Sequence, residues 1–388
     1  MARHAGSWAR LSTWRPRRPY RRSSWIAAAL AVSLVVGINA YFLFFFHNAP
    51  APSAAIAPAP SPSRSPSPSP TPSPTKTTPK PSPSPKPAPK PAPVVYNAVP
   101  WKSGVSYPDV AEYATEASIT TQFGTWRGRP TGIAVAYPMR DSWSDFADTN
   151  SFYTTWAAEP YQKSFALPLY PDDSGDTASD CIAGSYDSYW RTFADTMNST
   201  GLTAQHTIIR LGWEMNLHTD WGTPAQFAAC FRVIESTVSA IAPGLLWDWN
   251  VNRGDSAGMP DTEVLSAYPG NAYVNIVGID SYDIYPPATV SSGWQTQLNG
   301  PYGLNYWLEF ARSHGKEFSV PEWGVSSGAW PGNDGGDDAG YIRDMYDFFV
   351  SCGGTLEYES YYDDGGPTSI YDPDTNPKSS AEYVRLWR

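Results

Sequence analysis

Two glutamates stand out by residue type and position. Glu214 closes the stretch Ile208-Ile209-Arg210-Leu211-Gly212-Trp213-Glu214, and Glu322 closes Phe318-Ser319-Val320-Pro321-Glu322. Each follows a short apolar run that reads as a strand, and each has a tryptophan beside it. Side chains alternate faces along a strand, so counting in twos groups Ile208, Arg210, Gly212 and Glu214 on one face. Two carboxyl groups at the same ends of such strands are what retaining glycoside hydrolysis requires. One attacks the anomeric carbon, and the other, about 5–5.5 Å away, protonates the leaving oxygen and then activates water. A cation such as Arg210 beside one of them favours its ionised form, which separates the two pKa values. Either glutamate alone reads as a surface carboxylate at a strand end; the signal is the pair. Arg210, pointing inward, needs a partner in any case and also admits a purely structural ion-pair reading.

The elements that must position these residues alternate along the chain. Apolar runs at Gly104–Tyr107, Gly132–Tyr137, Phe165–Tyr170, Thr207–Leu211, Leu245–Trp249, Val274–Ile279, Phe318–Val320 and Thr355–Tyr358 read as eight strands. Helices are expected at Val110–Phe123, Trp143–Ala158, Tyr186–Ser199, Pro224–Ile241, Leu304–His314 and Asp338–Ser351. Asp141 or Ser142 is expected to cap the second of these, and Thr223, followed by Pro224, the fourth. In that fourth helix Phe227, Phe231, Ile234 and Val238 recur at helical spacing and mark its buried face. The alternation predicts an α/β fold, a (β/α)8 barrel, with function at the C-terminal ends of the strands. A doubly wound open sheet is the runner-up, but no GxGxxG or GxxxxGK phosphate loop is present.

The chain falls into unlike parts. Residues 1–93 contain no Asp or Glu and hold 12 of the 27 Lys and Arg. That leaves 15 basic against 37 acidic side chains in residues 94–388, a formal charge of −22. Such a domain repels phosphate backbones, so nucleic acid is not an expected partner. The organisation expected is a basic cytoplasmic tail at 1–24, a transmembrane signal-anchor at 25–46, a linker at 47–95 and the barrel at 96–388. The run from Trp25 to Phe46 is uncharged and follows a cluster of arginines, which places the N-terminus in the cytoplasm and the barrel outside. A cleaved signal peptide, cut within Pro50–Ala55, is the alternative, and it also exports the barrel. Between Pro50 and Pro93 lie 18 prolines interleaved with Ser, Ala, Thr and Lys, an extended disordered spacer by composition.

The cysteines are Cys181, Cys230 and Cys352, and an exported location permits a disulfide; Cys181–Cys230 is the expected pairing. No Cys/His spacing suggests zinc, and neither a metal nor another cofactor is expected. The acidic stretch Asn333–Asp338 lacks the spacing of an EF-hand and reads as a flexible loop beside the cleft.

The barrel region carries 14 Trp and 22 Tyr, and sugar C–H faces stack on aromatic rings. Trp213, Trp221, Trp249, Trp323 and Trp330 lie at or just after expected strand ends and are the candidate sugar platforms. Asn216 and Asn250 are candidate ligands for sugar hydroxyls, with loop capping as the bland alternative. Tyr282, after the sixth strand, is a candidate hydrogen-bond donor to the nucleophile.

The segments IIRLGWEMN (208–216), LLWDWN (245–250), AYPGNAYVNIVGIDSYD (267–283), GLNYWLEFARSHGK (303–316) and SVPEWG (319–324) together resemble glycoside hydrolase family 26, of clan A, in its actinobacterial branch. The resemblance spans roughly residues 100–388. It implies a (β/α)8 barrel, a retaining mechanism, Glu214 as acid/base and Glu322 as nucleophile. It also implies endo-β-mannanase activity, with β-1,3-xylan or mixed-linkage glucan as substrates of other members. Trp213 departs from the pattern: better-known mannanases have His before the acid/base. The expected function is an extracellular, membrane-tethered retaining hydrolase of a β-linked polysaccharide, endo-β-1,4-mannanase-like, with a monomeric catalytic domain. A non-catalytic carbohydrate-binding barrel and a transglycosylase acting on the envelope polysaccharide are the alternatives.

Overall fold

The computed structural model describes residues 99–108, 112–148, 150–172, 174–218, 220–254 and 261–388. The apolar run at 25–46 and the Pro-rich linker lie outside the described residues. Among those described, no helix is long and apolar enough to cross a membrane.

Eight strands close into one parallel barrel in sequence order. They are β1 (Lys102–Ser106), β2 (Ile133–Ala136), β3 (Gln162–Leu167), β4 (Ile208–Leu211), β5 (Leu246–Asn252), β6 (Ile276–Tyr282), β7 (Glu317–Gly324) and β8 (Leu356–Tyr362). Strands β1 and β8 pair through five residues, from Lys102–Tyr358 to Ser106–Tyr362, which shuts the barrel. The doubly wound alternative is thereby excluded, since an open sheet has two edges.

The helix Pro224–Ser239 starts where its cap dictates. Thr223 Oγ1 accepts from the Gln226 amide at 3.3 Å, and Gln226 Oε1 accepts from the Thr223 amide at 3.0 Å. Its apolar stripe, Phe227, Phe231, Ile234 and Val238, is fully buried against the strands. The single helix expected over Trp143–Ala158 is two, Trp143–Phe146 and Ser151–Ala157. Asn150 is the reason: its side-chain oxygen accepts from the Phe152 amide at 3.0 Å, ending one helix and capping the next.

The barrel interior is layered. Ile133, Val135, Ile208, Ile276 and Tyr358 pack as an apolar plug. Arg210, Asp248, Asn250, Asp280 and Glu322 are buried on the same inner face. An aromatic shell between strands and helices forms the larger core: Trp249 packs on Trp307, and Trp323 on Trp387 and Phe349. Cys181 and Cys230, on the helices Ala178–Ile182 and Pro224–Ser239, are joined by a disulfide across a separation of 49 residues. Closing that loop restricts the unfolded chain by about 4 kcal/mol. Cys352 is free and buried.

Candidate active site

The two glutamates reach the cleft by different departures from strand regularity. Strand β4 stops at Leu211, and the chain turns at Gly212, with φ 60°. A Cβ at Gly212 would lie 2.6 Å from the Phe227 ring, so only glycine turns there. Glu214 itself has φ 47°, a left-handed conformation that costs a non-glycine residue about 1 kcal/mol or more. Hydrogen bonds hold it. The Glu214 amide donates to Asn250 Oδ1 at 2.8 Å, and Asn252 Nδ2 donates to Glu214 Oε1 at 2.6 Å. The following turn, Met215–Leu217, is pinned to β5 by a reciprocal pair: Asn216 Nδ2 to the Asn252 carbonyl at 2.9 Å, and the Asn252 amide to Asn216 Oδ1 at 2.8 Å. Counting in twos therefore fails beyond Leu211; a pair of left-handed residues brings Glu214 back over the barrel.

Strand β7 instead carries one residue too many. Gly278 pairs with Ser319 and Ser281 with Trp323, so three steps on β6 match four on β7. On the other side Val320 pairs with Glu359 and Trp323 with Tyr361, three steps against two. The extra residue is a bulge beside Pro321, which has no amide hydrogen to give a ladder. It breaks the alternation, so Glu322 faces inward with Ser319 while Trp323 faces the helices.

Arg210 organises what the two ends deliver. It is fully buried and donates to Asp280 Oδ2 at 2.7 Å, to Asn250 Oδ1 at 3.1 Å, and from both terminal nitrogens to Glu322 Oε1 at 3.1 Å. Tyr137, whose hydroxyl accepts from Arg210 at 3.2 Å, donates to the same Glu322 oxygen. Tyr282 donates to Glu322 Oε2 at 2.8 Å. One carboxylate oxygen from each of Glu214, Asp280 and Glu322 lies within 4.8 Å of the others. Such a trio could bridge a cation, but the Arg210 guanidinium already bonds two of the three, Asp280 and Glu322. Burial and the charge of Glu322 push the Glu214 carboxyl up to about 7, against the Asn252 hydrogen bond and Arg210, which favour its ionised form.

Of the residues singled out from the sequence, Arg210, Glu214, Tyr282 and Glu322 come together. Asn216, Asn250, Trp249 and Trp323 do not line a cleft. Asn250 is fully buried and spends its amide on Glu214, Arg210 and Asp280, donating to Asp280 Oδ1 at 3.0 Å; Asn216 serves the turn. Both hold the backbone and neither is free for a sugar hydroxyl. Trp249 and Trp323 are fully buried in the shell outside the barrel, because their inward neighbours Asn250 and Glu322 force them to the helix side. They are not platforms. Trp213 and Trp221 sit at the C-terminal end but are 8% and 2% exposed. The Arg140 guanidinium lies 5.0 Å over the Trp213 ring, and His218 stacks on Trp221 at 3.9 Å. Trp330 is half-buried against Tyr285.

The stretch Asn333–Asp338 is not a free loop. Asp334 accepts from the Trp330 amide at 2.9 Å, Asp338 caps the helix Ala339–Cys352 through the Gly340 amide at 2.8 Å, and Asp337 accepts from the Lys378 and Ser379 amides at 3.0 and 2.8 Å. Asp337 and Asp338 serve helix N-termini, and Asp334 closes a turn. Tyr137, Asn252 and Asp280 are site residues that the sequence reading passed over. The signal was available for two of them: Asn252 follows Asn250, and Asp280 precedes Tyr282, each by one inward step.

Neither a protein-family model nor a curated protein sequence matches this chain. Solved structures do resemble it. A family 26 glycoside hydrolase from a Muricauda species aligns at 14% identity over 74% of this chain and 84% of its own, with a TM-score of 0.53. The catalytic domain of an endo-β-1,4-mannanase of family 26 from a Bacillus species aligns at 13% identity over 74% and 85%, with a TM-score of 0.51. A modular endo-β-1,4-mannanase from Cellulomonas fimi aligns at 13% identity over 74% and 70%, with a TM-score of 0.52. What this chain has in common with these enzymes, at such identities, is the fold: the closed barrel of eight parallel strands.

Proposed function

We propose that this chain is a retaining β-glycanase of the family 26 type, acting on a β-1,4-mannan-like polysaccharide. The observation that carries the reading is the pair Glu214 and Glu322, delivered from β4 and β7 with carboxylate oxygens inside 4.8 Å. That spacing suits double displacement; an inverting pair needs roughly 6.5–9.5 Å between carboxyl groups to admit water. Glu322 is the nucleophile. Its Oε1 is taken by Arg210 and Tyr137, bonds that stabilise the carboxylate and fix its plane. Oε2, with only the Tyr282 hydroxyl on it, attacks the anomeric carbon. Glu214, held up to about 7, still carries a proton in weakly acidic solution and gives it to the departing glycosidic oxygen. The same carboxylate, now ionised, takes a proton from the water that cleaves the glycosyl ester, so the anomeric configuration is retained.

The test is to incubate the full-length chain with galactomannan, β-1,3-xylan and mixed-linkage β-glucan and follow the newborn reducing end by proton NMR. The β-anomer of a manno-oligosaccharide is expected first. An initial α-anomer, or no cleavage of any of the three, would reject the reading.

The uncharged run at 25–46 and the arginines before it support a membrane tether with the barrel outside the cell. The native protein is then expected in the membrane fraction. A mature N-terminus at residues 51–55, found in the medium by mass spectrometry, would replace the tether with a cleaved signal.

A further inference from the structure

One aromatic pair at the same end of the barrel takes no part in the catalytic cluster. Tyr285 lies three residues beyond Tyr282 on the segment leaving β6, and Trp330 lies eight beyond Glu322 on the segment leaving β7. Their rings meet edge to face, with centroids 5.6 Å apart and planes at 68°. Tyr285 is 45% exposed, and its backbone sits at φ 43°, a conformation that a bulky L-residue avoids.

The surroundings impose that conformation. The Tyr285 amide donates to the Asn333 carbonyl at 3.2 Å, and Ile284 bridges antiparallel to Asp334, as Ser326 does to Gly336. The Gly335 amide donates to the Asp283 carbonyl at 3.0 Å, and a Cβ on Gly335 would fall 1.7 Å from Asp283 Oδ2. The buried Asp283 carboxylate also gathers the Ala288 amide at 2.6 Å and Gln297 Nε2 at 3.1 Å. Two segments from neighbouring strands are thus zipped into one stiff unit. Backbone strain of this kind persists where the surroundings over-determine it, and it concentrates at ligand sites. Here it presents a large aromatic ring to solvent rather than to the core.

We propose that Tyr285 and Trp330 form a preformed platform for a neutral pyranose ring of the bound polysaccharide, outside the position where the bond is cut. An edge-to-face pair leaves one ring face open, and sugar C–H groups pack on such a face. Asp334, whose carboxylate accepts from the Trp330 amide, disfavours an anionic sugar there. The proposal rests on the polysaccharide reading above and adds a second contact to it, on an element that need not move when substrate arrives.

The test uses the full-length chain with Glu322→Gln to stop turnover. Its mobility is followed by affinity electrophoresis through galactomannan, β-1,3-xylan and mixed-linkage β-glucan, with Trp330→Ala or Tyr285→Ala added singly; melting curves confirm folding. Retardation by a neutral polysaccharide is expected, weakened about three- to tenfold by either substitution. In the active background, KM should rise by a similar factor on long oligosaccharides, and the penalty should shrink as the substrate shortens. Undiminished retardation in both variants, with a KM change independent of chain length, would overturn the platform. If the parent is retarded and the variants are not, but no glycan is cut, the platform stands and the hydrolase reading falls. If the Glu322→Gln chain is not retarded and the chain with Glu322 intact cuts no glycan, both fall.

Discussion

The ends of β4 and β7 place the same side chain in the same cleft by opposite means. Strand β4 ends early and hands Glu214 to a left-handed turn, where one side-chain hydrogen bond, from Asn252, reaches its carboxyl. Strand β7 runs on through a bulge and delivers Glu322 into a clamp of Arg210, Tyr137 and Tyr282. The difference suits the two roles proposed for them. A nucleophile must keep its charge and its plane, so it is surrounded by donors. A general acid must hold a proton and later surrender it, so it is buried with few donors and sits near another negative charge, which lifts Glu214 to about 7.

The sharpest way to break this comparison is to remove each carboxyl in turn. Glu322→Ala eliminates the covalent route and should cost at least about ten-thousand-fold in kcat. Glu214→Ala should cost about a hundred- to ten-thousand-fold on polysaccharide, and far less on aryl glycosides whose leaving groups need no proton. Azide should separate the roles: a β-glycosyl azide from Glu214→Ala, by attack on the covalent intermediate, and an α-glycosyl azide from Glu322→Ala, by direct displacement. Exchange of these two products would reverse the assignment.

A smaller effect probes the clamp. Tyr282→Phe removes the hydroxyl on Glu322 Oε2 and should lower kcat about tenfold, the worth of one hydrogen bond to a charged group. In the proposed mechanism the clamp serves attack rather than protonation, so the loss should be equal on activated and unactivated substrates. A loss confined to unactivated substrates would tie Tyr282 to the acid instead.

The smallest expected effect concerns pH. Glu214 must be protonated to act as acid, so kcat/KM on polysaccharide should fall as pH rises through about 7. The Asn252 amide stabilises the ionised form, so Asn252→Ala should raise the Glu214 pKa and carry the alkaline limb upward by a fraction of a pH unit. A limb that moves down, or does not move, would detach it from Glu214.

Much of this molecule is legible without its fold. The eight apolar runs became eight strands because residues that bury both faces of a parallel strand read as continuous hydrophobic segments. The helix at Pro224 began at its cap, since Thr223 and Gln226 lie within one turn and need no distant partner. Local periodicity could also have sent Trp249 outward, because its strand neighbours at 248 and 250 carry the polar groups of the inner face.

Tertiary structure alone decided the rest. The bulge that turns Glu322 inward shows only as a mismatch of register against β6 and β8. That Tyr137 reaches Glu322 follows from barrel closure, which brings together residues 185 positions apart. Arg210 and Glu322, 112 positions apart, meet for the same reason. A short window of sequence specifies which face a side chain takes, because that depends on two backbone angles per residue. Which side chains converge is settled by how eight strands share one closed ladder of hydrogen bonds, and no window shorter than the barrel contains that information.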